Sequence, residues 1–381
     1  MRGAGRLARV LTALALLCSG CKGNLELNEL HIVHSVGLDP GKNGGVKLYA
    51  EVAKLASGQQ QPKGMQNRTF ILTSEGSNLF EAARLMRVKS DRTLLWGQTT
   101  AIVISKDIAL QGMERQIETF RRFRQFRNTT LVYMVDGSSA EVLKAEMPNA
   151  SISAQALRGL AEGGESTALT DPTSLLDIYK DWNNGFRDIK IPSIKVLKDR
   201  NGGKGEKLLK AVGFFAFRGN RLAGFMPARV SKGYLRAADR LKGSSEKLAC
   251  PGESGTSIAF ENTKNDSRIS VSVSDSGIPS VRIEVDADLN LVGATCEDVT
   301  VTPELIAGWE KRLNEEIAGQ IEDFFSFSKR HKTDLLGIGE RIHRKRPKQW
   351  KQMKDDWAEI YPTCRFSVIV HTRIDHTTFT V

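Results

Sequence analysis

Thr302-Pro-Glu-Leu-Ile-Ala-Gly-Trp-Glu-Lys-Arg-Leu-Asn-Glu-Glu-Ile-Ala-Gly-Gln-Ile321 holds both a helix start and a long apolar stripe. Thr302 suits an N-cap, Pro303 the first helical position and Glu304 the positive end of the helix dipole. Leu305, Trp309, Leu313, Ile317 and Ile321 then recur every four residues, which places them on one helical face that has to be buried. The segments upstream supply the surface to bury it on. Ala211-Val-Gly-Phe-Phe-Ala-Phe, a turn at Arg218-Gly-Asn and Leu222-Ala-Gly-Phe read as a hairpin; Ile269 to Val273 and Val281 to Ala287 alternate about Asp275-Ser-Gly as another. These segments predict an antiparallel sheet under the helix. Downstream, Pro347 to Ile360 reads as a second helix with Trp350, Met353, Trp357 and Ile360 on one face, and Phe366, Val368, Val370 and Thr372 as a closing strand.

Toward the N-terminus, strand-like and helix-like segments alternate between Leu30 and Leu197. His31 to Gly37 and Val46 to Val52 read as a hairpin, Thr69 to Thr73 as a third strand, and Leu79 to Met86 as an amphipathic helix. Thr99 to Ser105 and Thr129 to Val135 are apolar enough to be buried on both faces, with a helix from Ile108 to Phe123 between them. The fold class is therefore α+β and multidomain, with mixed and antiparallel β-sheets flanked by α-helices. Asp199-Arg-Asn-Gly-Gly-Lys-Gly-Glu-Lys is the clearest polar break, a linker or a long hairpin tip. Placing the boundary there gives an N-terminal α/β domain over 21–198 and a C-terminal α+β domain over 207–381, open to a subdivision that would make three domains in all.

Residues 1–20 read as a lipoprotein signal peptide. Arg2, Arg6 and Arg9 precede an apolar run from Val10 to Leu17 and the small pair Ser19-Gly20. Cys21 follows in Leu17-Cys18-Ser19-Gly20-Cys21, which resembles the bacterial lipobox: its sulfur takes a diacylglyceryl thioether and, after cleavage, its amine an N-acyl chain. The apolar run is far shorter than the roughly 20 residues of a spanning helix. Cys21 is thus the candidate lipid-attachment residue, and no other cofactor is called for.

Hydrophobic residues make up 40% and charged residues 26% of the chain, the balance of a globular protein. The net charge of +11 falls to about +8 once the three signal arginines are removed. On an exported, tethered body that excess points away from nucleic acid and either to an anionic membrane surface or, as a modest excess on a large body, to solubility alone. Cys250, Cys296 and Cys364 make neither a metal pattern nor a disulfide framework; at most one pair bridges, and they are expected mostly as small buried hydrophobes.

No catalytic motif stands out. Gly337-Ile-Gly-Glu-Arg-Ile lacks the third glycine of a dinucleotide fingerprint and a strand before it, and reads as a turn; Asn201-Gly-Gly-Lys-Gly lacks phosphate-loop spacing. His371 and His376 near Asp375 offer no convincing third-ligand geometry for a metal site. The segment Glu340-Arg-Ile-His-Arg-Lys-Arg-Pro-Lys-Gln-Trp-Lys-Gln-Met-Lys-Asp-Asp-Trp-Ala-Glu-Ile-Tyr-Pro interleaves cations with tryptophans. Either the tryptophans are core and the lysines solvated, or the segment is an interfacial or partner-binding face.

That segment resembles the C-terminal hallmark of the Ger(x)C family, the lipoprotein C subunits of spore nutrient germinant receptors. The resemblance lies in Asp334-Leu-Leu-Gly-Ile-Gly, then His343-Arg-Lys, Pro347-Lys, Trp350 and Asp356-Trp357. At the other end, Cys21 followed by Glu26-Leu-Asn-Glu-Leu and Val36-Gly-Leu-Asp resembles the family's start, with Lys22 and Gly23 where tryptophan and aspartate are usual. Phe214 to Gly224 fits its mid-chain hairpin. The resemblance implies a non-enzymatic, lipid-anchored protein on the extracytoplasmic face of the inner spore membrane. It implies membrane A and B subunits as partners, a role in germination triggered by small nutrients, and a three-domain fold of α/β sheets with surrounding helices. No catalytic residue carries over. The rival from another class is a lipid-anchored extracytoplasmic solute-binding protein with a cleft between its halves; a tethered cell-wall enzyme is a further one.

Overall fold

The computed structural model of the chain describes residues 26–54, 69–145, 150, 152–198, 207–250, 255–274, 277–296 and 301–377. The first half alternates as its sequence does. Strands β1 (Leu30–Pro40), β2 (Val46–Ala53) and β3 (Thr69–Gly76) lead to helix α1 (Leu79–Val88) and a short β4 (Thr93–Leu95). Then come β5 (Ala101–Ser105), α2 (Lys106–Gln111), α3 (Glu114–Arg122), β6 (Leu131–Val135), α4 (Ser139–Leu143), α5 (Ser153–Thr167), α6 (Leu175–Asn184), β7 (Lys190–Lys198), β8 (Lys207–Arg218) and β9 (Arg221–Met226). Among the described residues these nine strands form one sheet in the order β3-β2-β1-β5-β6-β7-β8-β9, with β4 beside β1. The centre, from β1 through β7, is parallel and both flanks are antiparallel.

A parallel centre has to be covered on both faces, and β5 is buried at every residue. Ile102 and Ile104 join Met86, Ile117 and Phe120 of α1 and α3, whereas Val103 faces Val142 and Leu157 of α4 and α5. Two buried carboxylates set the helices of this second face. Asp39 of β1 accepts from Ser139 N at 2.8 Å at the start of α4, and Glu51 of β2 accepts from Ser153 N at 2.9 Å at the start of α5. Helix α5 follows Ile152, which offers no capping oxygen, so its first donors are met by a strand carboxylate where the helix dipole favours negative charge.

The single helix expected over Ile108 to Phe123 is two helices. Gly112 has φ of 97°, a conformation that ends α2, and α3 restarts after the buried Met113. The polar break at 199–206 lies outside the described residues. The strands on either side of it, β7 and β8, pair up to Lys198 opposite Lys207, and β8 and β9 complete the first sheet.

The second half adds α7 (Ala228–Ala237), β10 (Ser244–Ala249), β11 (Ser257–Val273), β12 (Pro279–Ala294), the long α8 (Pro303–Arg330), three short helices α9 (Ile338–Lys345), α10 (Pro347–Met353) and α11 (Trp357–Ile360), and β13 (Arg365–Thr377). The sheet runs β10-β11-β12-β13, antiparallel until the last pair, where β13 lies parallel to β12; the wholly antiparallel expectation is corrected there. A parallel neighbour needs a long crossover, and α8 with the short helices provides it. Thr302 accepts from Leu305 N at 3.3 Å, and Trp309, Leu313, Ile317 and Ile321 are buried against Phe260, Ile283, Val285 and Leu289. One buried ion pair ties the layers: Arg236 of α7 meets Glu246 of β10, which also accepts from Gln320 of α8 at 2.9 Å. Cys250 and Cys296 form a disulfide, with Cα atoms 5.8 Å apart, so two of the three cysteines are a cross-link where small buried hydrophobes were expected; Cys364 is free and buried.

Candidate functional site

The segment from Asp334 to Tyr361 folds around one carboxylate. Asp334 is 3% exposed, and its side chain accepts from Ile338 N at 2.8 Å, Gly339 N at 2.7 Å and the Trp357 indole N–H at 3.1 Å. The first two donors are the opening amides of α9, left open because Gly337 enters the helix at φ of 65° and has no side chain with which to cap it. The Gly337-Ile-Gly phrase is therefore a turn that starts a helix. Burial pushes the Asp334 carboxyl up to about 6, the amide bonds pull it back down and the nearby Asp188 adds to the rise.

Asp188 links this turn to the first sheet. Its carboxylate accepts from Asp334 N at 2.7 Å and from Gly219 N, in the β8–β9 turn, at 3.0 Å, while Asp188 N donates to Asp334 O at 3.0 Å. Arg187 meets Glu340 of α9 at 3.4 Å, and Phe186 stacks on His343 with ring centroids 4.7 Å apart. Three segments far apart in sequence are thus held on two aspartates.

The single helix expected over Pro347 to Ile360 is also corrected. Arg346, at φ of −140° before Pro347, separates α9 from α10, as the residue before a proline is driven out of the helical region. Residues 354–356 separate α10 from α11. Within α10, Trp350 is buried, and its ring closes on Gly339, where a Cβ would lie 2.6 Å from Trp350 Cη2. Trp357 packs edge-on to Trp350 at 5.2 Å and to Tyr361 at 5.8 Å while remaining half-buried, so it belongs to the margin of the core and not to its centre. The opposite side of the segment is cationic: Arg344, Lys345, Arg346, Lys348 and Lys351 are exposed. Arg344 pairs with Glu340 at 2.6 Å; Lys345, Arg346, Lys348 and Lys351 have no ion-pair partner among the described residues. Of the two readings of the interleaved stretch, Trp350 follows the core reading and the cations are presented to solvent.

Cys21, the candidate lipid-attachment residue, lies outside the described residues, as does the signal stretch before it. His371 and Asp375 are exposed on β13, the side chain of His376 is outside the described set, and no group of three metal-ligating residues occurs among the described residues. No helix of the described residues is long and apolar enough to cross a membrane. Sequence reasoning did not single out Asp188. Its only signal was an aspartate beside a strand start, and the partner that gives it meaning is Asp334.

The fold and this segment agree with comparisons to known proteins. Residues 23–196 match the model described as spore germination protein N-terminal domain, and residues 212–378 the model described as spore germination B3/GerAC like, C-terminal. Spore germination protein KC of Bacillus subtilis (strain 168) is 23% identical over 97% of this chain and 95% of its own length. The putative spore germination protein YfkR of the same organism is 21% identical over 93% of this chain and 92% of its own. The crystal structure of the GerBC protein superposes with a TM-score of 0.58 at 17% identity, covering 89% of this chain and 96% of that one, a likeness of fold. With both family models matched in order along nearly the whole described chain, this protein belongs to the Ger(x)C family of spore germination proteins.

Proposed function

We propose that this chain is the lipid-anchored, non-enzymatic C subunit of a spore nutrient germinant receptor, held on the extracytoplasmic face of the inner spore membrane and working with membrane A and B subunits. The observation that carries the reading is the ordered match to both halves of a spore germination family, beginning at residue 23, two residues after Cys21. The sequence before that match has the parts of a lipoprotein signal, and Cys21 stands where a diacylglyceryl thioether is attached. Two acyl chains anchor a protein stably where one gives only marginal binding, so a diacylglyceryl group suffices as the tether. The exposed cations of α9 and α10 are the surface offered to anionic lipid, each worth about 1 kcal/mol when well placed.

Mass spectrometry of the mature N-terminal peptide tests the anchor, and co-purification from spore membranes tests the partners. The expected peptide begins at a Cys21 carrying diacylglycerol and an N-acyl chain, and Cys21→Ala is expected to release or mislocalise the protein and weaken germination through this receptor alone. A free Cys21 thiol, or cleavage at another bond, refutes the lipoprotein reading. Recovery of the chain from membranes without two multi-spanning partners refutes the receptor reading.

A further inference from the structure

A cleft of about 230 Å³ opens between α6 and the start of β7 on one side and α7, β11 and α9 on the other. Its walls carry eight charged side chains, and most are already matched. Asp171 pairs with Lys190 at 2.7 Å, Asp177 accepts from Ser174 N at 2.9 Å as part of the α6 cap, and Asp188 holds the Asp334 and Gly219 amides. Arg240 is exposed at the rim.

Two half-buried charges are left over. Asp181, near the end of α6, has no hydrogen bond or ion pair from its carboxylate among the described residues. Across the cleft, the guanidinium of Arg341 on α9 is likewise unmatched, with its Nε buried and without an acceptor; the Nε of Arg187 beside it is in the same state. Asp181 and Arg341 do not pair with each other. Burial pushes the Asp181 carboxyl up to about 6, with Arg187 opposing the rise, and burial together with Arg187 holds Arg341 below its ordinary value. Two half-buried charges of opposite sign, one with a buried donor left without an acceptor, face one cavity and are complementary to a ligand that carries both counter-charges. Tyr234, Leu335 and Ile269 add an apolar wall for what lies between the charged ends. The volume falls below the roughly 300 to 1,000 Å³ of drug-sized pockets, so the ligand is small.

We propose that this cleft binds a small zwitterion of the α-amino-acid class, its ammonium group on Asp181 and its carboxylate on Arg341. The inference goes beyond the receptor reading and is independent of the anchor, because it concerns only groups within the folded body. The experiment is calorimetric titration of the mature chain carrying Cys21→Ala with each of the twenty common α-amino acids at millimolar concentration. For the tightest binder it is repeated with the N-acetyl derivative, which lacks the ammonium, and the amide, which lacks the carboxylate. At least one amino acid is expected to bind saturably, both derivatives to bind at least about tenfold more weakly, and Asp181→Asn and Arg341→Gln each to weaken binding by a similar factor. Lys311→Gln, on the exposed side of α8 and outside the cleft, is expected to leave affinity unchanged. Without ligand, Asp181→Asn should raise the melting temperature, since it removes an unmatched charge. If a neutralised variant fails to fold, Asp181→Glu and Arg341→Lys take its place, and the altered reach of either is expected to weaken binding. Absence of binding across the twenty, derivatives that bind as well as the parent, or unchanged affinity in the Asp181 and Arg341 variants overturns the proposal.

Discussion

Asp334→Asn tests whether the carboxylate at the centre of the 334–361 segment titrates as its burial requires. The group is 3% exposed, and burial lifts it from the ordinary 3.8 to about 6. Because the folded-state value lies above the unfolded one, the folded protein binds this proton more tightly than the unfolded chain does. The burial cost is therefore absent below about pH 3.8, grows through the interval and is complete above about pH 6. A rise of roughly two units corresponds to about 3 kcal/mol of lost stability. In Asp334→Asn the nonionising amide removes that dependence. In either orientation the amide nitrogen faces donors it cannot accept from, the Ile338 amide or the Gly339 amide and Trp357 indole, so the variant is less stable at low pH, and the deficit narrows by up to about 3 kcal/mol as pH rises from 4 to 7. Urea midpoints of the mature Cys21→Ala chain, with and without Asp334→Asn, give the comparison across that range. Asp181, also lifted to about 6, contributes equally to both proteins and cancels in the difference. Repulsion from Asp188 is already among the causes of the Asp334 rise, so its relief is part of this narrowing and not an addition to it. A wild-type to variant difference that is constant between pH 4 and 7, or that widens as pH rises, would show that the three donors to Asp334 outweigh its burial.

Leu313→Asp places an unpaired charge on the fully buried stripe of α8 and is expected to abolish soluble expression, whereas Lys311→Asp on the exposed side should shift stability by no more than about 0.5 kcal/mol; equal behaviour would mean the helical phase is wrong. Cys250→Ser opens a cross-link spanning 46 residues of sequence, for which the chain-entropy account gives about 4 kcal/mol, and reducing agent should lower the melting temperature of the wild type but not of the variant. Changing Arg344, Lys345 and Lys348 together to Glu should weaken binding to phosphatidylglycerol vesicles relative to phosphatidylcholine while leaving the melting temperature in place; unchanged vesicle binding removes the membrane-facing role of α9 and α10.

Local patterns carried most of the fold. Thr302-Pro303 and the fourfold spacing from Trp309 to Ile321 placed α8 because cap and stripe are written within one segment. The alternation in β11 and β12, and the continuous burial of β5, were legible for the same reason. What escaped depends on residues distant in sequence. Helix α5 starts after Ile152 and takes its N-terminal acceptor from Glu51, 102 residues earlier, so no capping signal stands beside it. The parallel placement of β13 follows from the crossover, and alternation reads the same in either direction. Three cysteines at uneven spacing did not say which two meet. At the candidate site, Asp334 was visible as the head of a phrase, yet its role as an acceptor for Trp357 and the reciprocal bonding with Asp188 exist only in the folded chain.

The break between α10 and α11 shows how these distant contacts bear on function. Trp350, Met353, Trp357 and Ile360 are spaced for one continuous helical face, and local preference alone would have kept them so. In the fold, the indole N–H of Trp357 is instead held on the buried Asp334, and Trp350 fills the space left by the absent side chain of Gly339. The tertiary hydrogen bond to a buried carboxylate outweighs the helical continuity it interrupts, since an amide or indole donor is worth more to an ionised acceptor than to a neutral one. In this segment the Asp334 carboxylate and the Trp350 and Trp357 rings of the inner side are thus held by contacts within the chain. Its outer side presents Lys345, Arg346, Lys348 and Lys351 without ion-pair partners among the described residues. Conformation and surface charge are consequently separable here: reversing the charges leaves the Asp334 contacts intact, so a loss of membrane binding in those variants reports the surface and not the fold.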